Sequence, residues 1–402
     1  MEKRIVIIGS GFAGLWAALA AARAIDLQGA SDRIEVVVVS PRPALVIRPR
    51  LYEAAIENMD PDLSALFAAT GVKHFAGKIE HIHTRTRRLE ITSTAGELNE
   101  LSYDRLVLAT GSTLYTPPVP GLEAFGFNVD QHDDARVLQA HLAELAGKPP
   151  SSARNTVVVV GGGFTGIETA AEMPARLRKI LGEDTPVRAV LIECADQVGP
   201  EMGDTPRPII EAALTECGVE LVTGTRVELI DADGLLTTSG ERIDAATVVW
   251  TAGARAHPLA AQIPGAHDAL GRIEVDAYLR APEADAVFAT GDVAHAATDA
   301  LGNVAAMSCQ HALSLGRVAG YNAAASLLDL PQHPYSQPKY VTCLDLGPWG
   351  ALYTEGWDRQ VRLTREEGKQ LKREINTKWI YPPAADKAAA FAVANPDFVI
   401  VP

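Results

Sequence analysis

The stretch "VVVVGGGFTGIE" fills residues 157–168, and the chain has already used almost the same phrase, "IVIIGSGFAGLW", at residues 5–16. Each joins four consecutive apolar residues to glycines spaced G-x-G-x-x-G: Gly9, Gly11 and Gly14 in the first, Gly161, Gly163 and Gly166 in the second. In this pattern the first glycine permits a tight turn, the second lets a pyrophosphate approach the backbone, and the third lets helix pack on strand. The helix N-terminus then faces the anion. One such turn is weak evidence, because glycine-rich turns occur without ligands. Two of them, each after an apolar strand and before a helical run, predict two dinucleotide sites in one chain.

The surroundings repeat as well. "RIVIIGSG", "FAGLWAALAAARAI" and "RIEVVVVS" read as strand, helix and strand, and so do "TVVVVGGG", "FTGIETAAEMPARLRKIL" and "VRAVLIEC". Continuous apolar strands of this kind belong to parallel sheets buried on both faces. Two stiff segments, "TPPVPG" (116–121) and "AGARAHP" (252–258), bracket the second unit and read as crossing linkers. The expected fold is therefore α/β, with two nested Rossmann-like FAD- and NAD-binding domains and a small C-terminal α+β domain. The expected boundaries are 1–118 for the first part of the FAD-binding domain, 119–264 for the inserted NAD-binding domain and 265–335 for the second part of the FAD-binding domain. Residues 336–402 form the C-terminal domain and a mobile tail. Within that last region "KYVTCLDLGPWGALYTEGW" places two strand-like runs around a Gly-Pro-Trp-Gly turn.

Composition narrows the function. A net charge of −14, from 50 acidic and 36 basic residues, argues against nucleic acid and against broad adhesion to an anionic membrane. No apolar run approaches the length of a membrane-spanning helix. The opening apolar run ends after four residues at Gly9, so it reads as a core strand rather than a leader, and the expected location is cytoplasmic. Cys194, Cys217, Cys309 and Cys343 are too scattered for a disulfide framework or a zinc site. His81 and His83 share a strand face without a third ligand, so solvated histidines are expected there and no metal.

Residues at the strand ends refine the ligands. An acidic side chain after the second strand of such a unit accepts from a ribose 2′-hydroxyl and repels a 2′-phosphate. Glu193 holds that position in the second unit, which predicts NADH over NADPH. The first unit has Ser40 there, a departure from the acidic rule, followed by Arg42, which is positioned to stack on adenine. "AVFATGDVAHA" (286–296) ends an apolar strand in Thr-Gly-Asp and puts Asp292 at a strand's C-terminal edge, where ligands collect.

These features together, with "YDRLVLATGS" (103–112), "ATVVWTAGA" (246–254) and "RPRLYEAA" (48–55), resemble the two-dinucleotide-binding-domain flavoproteins of the pyridine nucleotide-disulfide oxidoreductase superfamily. Among these the chain is most similar to the type II NADH dehydrogenases. The resemblance covers residues 1 to about 330. It implies FAD on Gly9, Gly11, Phe12, Ala13, Gly14, Ser40, Arg42, Arg48, Ala109, Thr110, Gly111, Gly291, Asp292 and Gln310, with Ile79 near adenine through its backbone. It implies NADH on Gly161, Gly163, Phe164, Thr165, Gly166, Glu193 and Gly253, with Glu168 beside the nicotinamide. Glu168, Gln310 and His311 are the expected catalytic residues. For His311 two readings stand, a proton relay and a packed core residue.

The departures matter too. Where the family carries Ala-Gln-x-Ala-x-Gln, this chain reads "CQHALS" (309–314), keeping Gln310 but placing Ser314 at the second glutamine and Cys309 at the first alanine. That bears on the usual long-tailed quinone. "SPRPALVIRPR" (40–50) carries no cysteine, which sets aside disulfide reductases and single-cysteine oxidases and peroxidases. The segment "GKQLKREINTKWIYPP" (368–383) mixes basic and aromatic residues and is open to three readings: weak peripheral membrane contact, a homodimer contact or core packing. The implied function is an FAD-dependent NADH dehydrogenase that passes electrons to a quinone-like or other small acceptor. A reductase of a ferredoxin- or rubredoxin-type carrier protein and a slow flavin redox sensor are the alternatives.

Overall fold

The computed structural model describes residues 3–399. Its largest sheet has seven strands in the spatial order Val287–Ala289, Arg105–Leu108, Lys3–Ile8, Ile34–Ser40, Lys73–His83, Arg88–Ser93 and Leu98–Ser102. The first five run parallel, and the last two return antiparallel. Alternation explains the layering. Ile5, Ile7, Val36 and Val38 face one core with the helices, while Val6, Ile8, Val37 and Val39 face a second core against Ile79, Ile91 and Leu259. A strand apolar at every position has no face left for solvent, so it sits between two layers.

A second sheet, of five parallel strands, is drawn from the middle of the chain: Val219–Val222, Arg188–Ile192, Thr156–Val160, Thr247–Trp250 and Gly126–Phe127. Where the backbone leaves the first sheet and where it comes back, Ser112–Leu114 and Ala254–Ala256 pair antiparallel. The two crossings are thus stitched to each other. The chain then adds Val287–Ala289 to the first sheet and runs into the helix Cys309–Ala325.

That helix lies against the first helix, Phe12–Leu27, at backbone distance. A Cβ on Gly316 would fall 2.4 Å from the carbonyl oxygen of Ala13, and one on Gly320 would fall 2.0 Å from that of Ala17. The C-terminal region is a three-stranded antiparallel sheet, Val341–Asp345, Ala351–Glu355 and Gln360–Leu363, followed by the helix Arg365–Glu374 and a π turn, Ile375–Trp379. The first two strands flank the Gly347–Trp349 turn.

The structure corrects the expectation of a mobile tail as far as residue 399. The helix Lys387–Val393 docks with Ala390 and Ala394 fully buried. Arg317 fastens it: the buried guanidinium donates to the Val393 carbonyl at 2.7 Å and lies 3.8 Å from the Trp16 ring centre. "GKQLKREINTKWIYPP" also turns inward, with Lys372, Asn376 and Ile380 buried and the Tyr381 hydroxyl donating to the Asn58 carbonyl. Among the described residues no helix is long and apolar enough to cross a membrane.

Because Gly320 has no room for a side chain, Gly320→Ala is expected to destabilise the protein by about 2–4 kcal/mol, as overpacking between rigid backbones does. Urea unfolding of the holoprotein measures this; a midpoint unchanged from wild type would contradict the backbone contact.

Candidate functional site

The two glycine turns adopt the same geometry. Gly9 has φ +106° and Gly161 φ +111°, a region that L side chains rarely enter. A Cβ on Gly14 would lie 2.0 Å from the Gly9 carbonyl oxygen, and one on Gly166 would lie 1.7 Å from that of Gly161. By contrast, a Cβ on Gly11 or Gly163 would meet nothing within 4 Å. So the third glycine of each turn is required by the close packing of helix on the preceding turn, while the second borders open space. Phe12, Ala13, Phe164 and Thr165 begin the two helices, with Phe12 and Ala13 buried and Thr165 exposed.

Around the first turn, the Ala109 carbonyl walls Gly9. Thr110 follows with a buried hydroxyl that has no partner in the protein, the kind of orphan a ligand satisfies. Gly111 (φ +69°) and Gly291 (φ +70°) shape the neighbouring turns. Asp292 accepts a hydrogen bond from the Ser112 hydroxyl at 2.6 Å and faces Arg48 at 3.9 Å. Burial raises its carboxyl above the usual range, and Arg48 and Ser112 oppose the shift. Arg48 is held by Asp130. At the strand end, the Ser40 hydroxyl donates to the Arg42 carbonyl at 2.7 Å and meets His74 Nε2 at 3.0 Å, so it is engaged within the protein. Arg42 is exposed and pairs with Asp60 at 2.9 Å. Ile79 is buried, at the register shift in its strand's pairing with Arg88–Ser93.

Around the second turn, both oxygens of the buried Glu193 carboxylate accept backbone N–H groups, from Gly162 at 2.6 Å and Ala195 at 2.8 Å. The side chain therefore braces the glycine turn itself. Gly253 (φ +84°) lies against Tyr115.

Glu168 is buried one turn into the helix Phe164–Leu181. Its carboxylate accepts from Lys372 Nζ at 2.8 Å and from the Asp345 backbone N–H at 3.0 Å. Lys372 also donates to the Cys343 carbonyl at 2.9 Å. Desolvation alone would lower the lysine, but the charge of Glu168 overcomes it and holds the ammonium above its ordinary value. Tyr52, with a buried and unpartnered hydroxyl, faces the same carboxylates. The Cys309 thiol, at the start of the helix Cys309–Ala325, feels the charges of Lys372, Asp292 and Glu168. Burial pushes the thiols of Cys309 and Cys343 up to about 11, which keeps both protonated and weakly nucleophilic at neutral pH. All four cysteines are free thiols.

Gln310 is half-buried, its side-chain oxygen 3.5 Å from the Val341 N–H. His311 is fully buried, 5.0 Å from the Tyr340 ring and 6.0 Å from the Trp357 ring, with its Nδ1 3.0 Å from the Ser308 hydroxyl. Desolvation and the nearby Arg359 bring it down to about 4, so the ring is neutral at ordinary pH. His81 and His83 lie exposed on one strand face, and His83 pairs with Glu90 at 2.7 Å. Among the described residues no cluster of His, Cys, Asp or Glu could hold a metal ion.

Sequence reasoning missed Lys372, Asp345 and Tyr52. All three sat inside quoted segments, but bringing them near Glu168 takes approaches between residues more than a hundred positions apart along the chain.

Comparison with known proteins now places this geometry. The family described as pyridine nucleotide-disulphide oxidoreductase matches residues 3–316. An NADH dehydrogenase-like protein of Mycobacterium tuberculosis is 47% identical over 397 residues, covering 98% of this chain and 98% of its own. A demethylphylloquinone reductase of Synechocystis is 28% identical over 359 residues, 87% of this chain and 86% of its own. The solved structure of NDH2 from Plasmodium falciparum in complex with NADH superposes with TM-score 0.79 over 100% of both chains at 12% identity, a likeness of fold.

Two outcomes follow from the buried charges. Lys372→Met would strand Glu168 without its cation and is expected to cost about 3–5 kcal/mol in chemical unfolding; a loss under about 1 kcal/mol would mean that the pair is not buried as described. His311 has a folded-state value below its unfolded one, so the unfolded chain binds the extra proton first as pH falls. Stability should then decline from about pH 6.5 to about pH 4 by up to roughly 3 kcal/mol and level off below. Unfolding midpoints across that window should be flatter for His311→Phe; equal slopes for variant and wild type would refute the assignment.

Proposed function

The chain belongs to the pyridine nucleotide-disulphide oxidoreductase family, and we infer from that premise that it is an FAD-dependent NADH oxidoreductase that works without a redox-active disulfide. The observation that carries this is the doubled turn: two glycine cradles of one geometry, each open at its second glycine. Bound FAD supplies the chemistry, accepting a hydride from NADH and handing two electrons to an acceptor.

The chain's own residues bind and orient. In this reading Gly9, Gly11, Gly14 and the helix they open hold the FAD pyrophosphate, and Thr110 and Asp292 take the ribityl side with Arg48 behind them. Gly161, Gly163 and Gly166 hold the NADH pyrophosphate. Glu193, braced by the Gly162 and Ala195 N–H groups, keeps a carboxylate where a 2′-phosphate would otherwise sit. Glu168 and Lys372 form a fixed, paired charge beside the reacting rings. The N-terminus of the helix Cys309–Ala325, capped by Ser308, points its partial positive charge at that same place. We assign His311 a packing role, since a fully buried imidazole stacked with Tyr340 and Trp357, its basicity lowered by burial, is a poor proton acceptor.

On this reading the stretches 1–118 and 265–335 serve FAD, 119–264 serves NADH, and 336–402 is the C-terminal domain and tail. The acceptor is a quinone, in keeping with relatives named NADH dehydrogenase-like and demethylphylloquinone reductase. The scattered free cysteines favour work in the cytoplasm.

Anaerobic titration of the purified flavoprotein tests the reading. NADH should bleach the flavin's visible band at one equivalent, and NADPH should do so roughly tenfold or more less efficiently, because Glu193 repels the extra phosphate. A flavin left oxidised by NADH sinks the proposal.

A further inference from the structure

A cleft of about 250 Å³ opens between the 50–55 loop, the helix Phe164–Leu181 and the C-terminal helix with its π turn. We propose that this cleft is the entrance for the electron acceptor, and that its occupant is a compact, hydrophilic quinone rather than a long-tailed one. The proposal rests on the dehydrogenase reading above and names its second substrate.

Position is the first argument. Lys372 lines the cleft and, through the same ammonium, binds Glu168. On the reading above Glu168 stands beside the reacting rings. The cleft therefore ends at the buried pair that flanks them. It also opens away from the second phosphate turn. Glu172, on the cleft wall, lies nine residues beyond Gly163 on one helix, which at the helical rise is about 13 Å from the phosphate turn.

The walls are the second argument. A site for an alkyl tail needs contiguous apolar lining, since burying methylene groups is what holds the tail. Here only Ala54 and Ala55 are apolar, and the remaining lining is charged or polar. The charges are also committed to one another. Arg50 pairs with Glu53 at 2.7 Å, and Lys369 pairs with Asp345 at 2.6 Å. An alkyl chain laid against these pairs would strip their water and return nothing in exchange. A quinone ring with small substituents suits the cleft better. Its carbonyl oxygens accept from the Arg50, Lys369 or Asn376 donors, and a locally neutral wall asks for no charge on the ligand. Thr377 and Ala54, both exposed, line the cleft from the π turn and from the 50–55 loop.

The test separates the acceptor from the donor. Holoenzyme reduced anaerobically with dithionite is mixed in a stopped-flow instrument with a tailless dimethoxy-methyl-benzoquinone or with its decyl homologue, and flavin reoxidation is followed. The two second-order rate constants should agree within about threefold, or favour the tailless quinone. If as few as three methylenes were buried on the way to the transition state, the decyl compound would gain roughly fifty-fold. A gain of tenfold or more for the decyl compound overturns the proposal. Thr377→Trp, and separately Ala54→Trp, should each slow reoxidation by the tailless quinone about tenfold while reduction by NADH proceeds at the wild-type rate. Reoxidation at the wild-type rate in both variants also overturns it. Failure of NADH to reduce the wild-type enzyme would count against the dehydrogenase reading alone, since dithionite bypasses that step.

Discussion

Everything in this molecule depends on backbone meeting backbone at a few places where a Cβ cannot exist. Gly14 and Gly166 let each first-turn helix lie directly on the loop that precedes it, with the Gly9 and Gly161 carbonyls inside the space a side chain would take. That contact aims the helix N-terminus along the strand and leaves a gap at the second glycine. Gly316 and Gly320 repeat the device between the first helix and the helix that completes the same domain some three hundred residues later. Dispersion and burial at such short range hold the returning segment in place without a covalent tie.

Charge does the complementary work between layers. The Glu168–Lys372 pair spans the inserted sheet's first helix and the C-terminal helix, and Asp345 adds its backbone N–H to the same carboxylate. A buried pair of this kind contributes little net stability compared with an apolar replacement, yet separating its members is costly. It thus specifies one docking of the C-terminal layer against the inserted sheet's first helix. Arg317 acts likewise at the opposite end, satisfying carbonyls and aromatic faces instead of a carboxylate.

The polar character of the C-terminal layer has a functional consequence. The cleft beside the C-terminal helix is walled by interlocked ion pairs, Arg50 with Glu53 and Lys369 with Asp345, around a small opening; on the proposed reading, selection of a quinone there falls on its ring and carbonyls. The neutral, stacked His311 and the protonated thiols of Cys309 and Cys343 leave the neighbouring protein chemically quiet, which suits a site whose reactivity is supplied by a cofactor.

The nested α/β architecture, the two glycine cradles and the roles of Gly9, Gly14, Gly161 and Gly166 were legible in the sequence alone, because they rest on local rules: apolar runs for buried strands, fixed spacing for a turn, a helix immediately after it. Asp292 was legible for the same reason, as a residue at a strand's end. What the sequence could not decide was partnership. Whether Glu168 stands free or paired, whether His311 titrates or packs, and whether the 368–383 segment faces a lipid surface or the cleft wall are set by side chains brought together from more than a hundred residues away. Burial and Coulomb attraction depend on distance in space, and only the folded chain sets those distances.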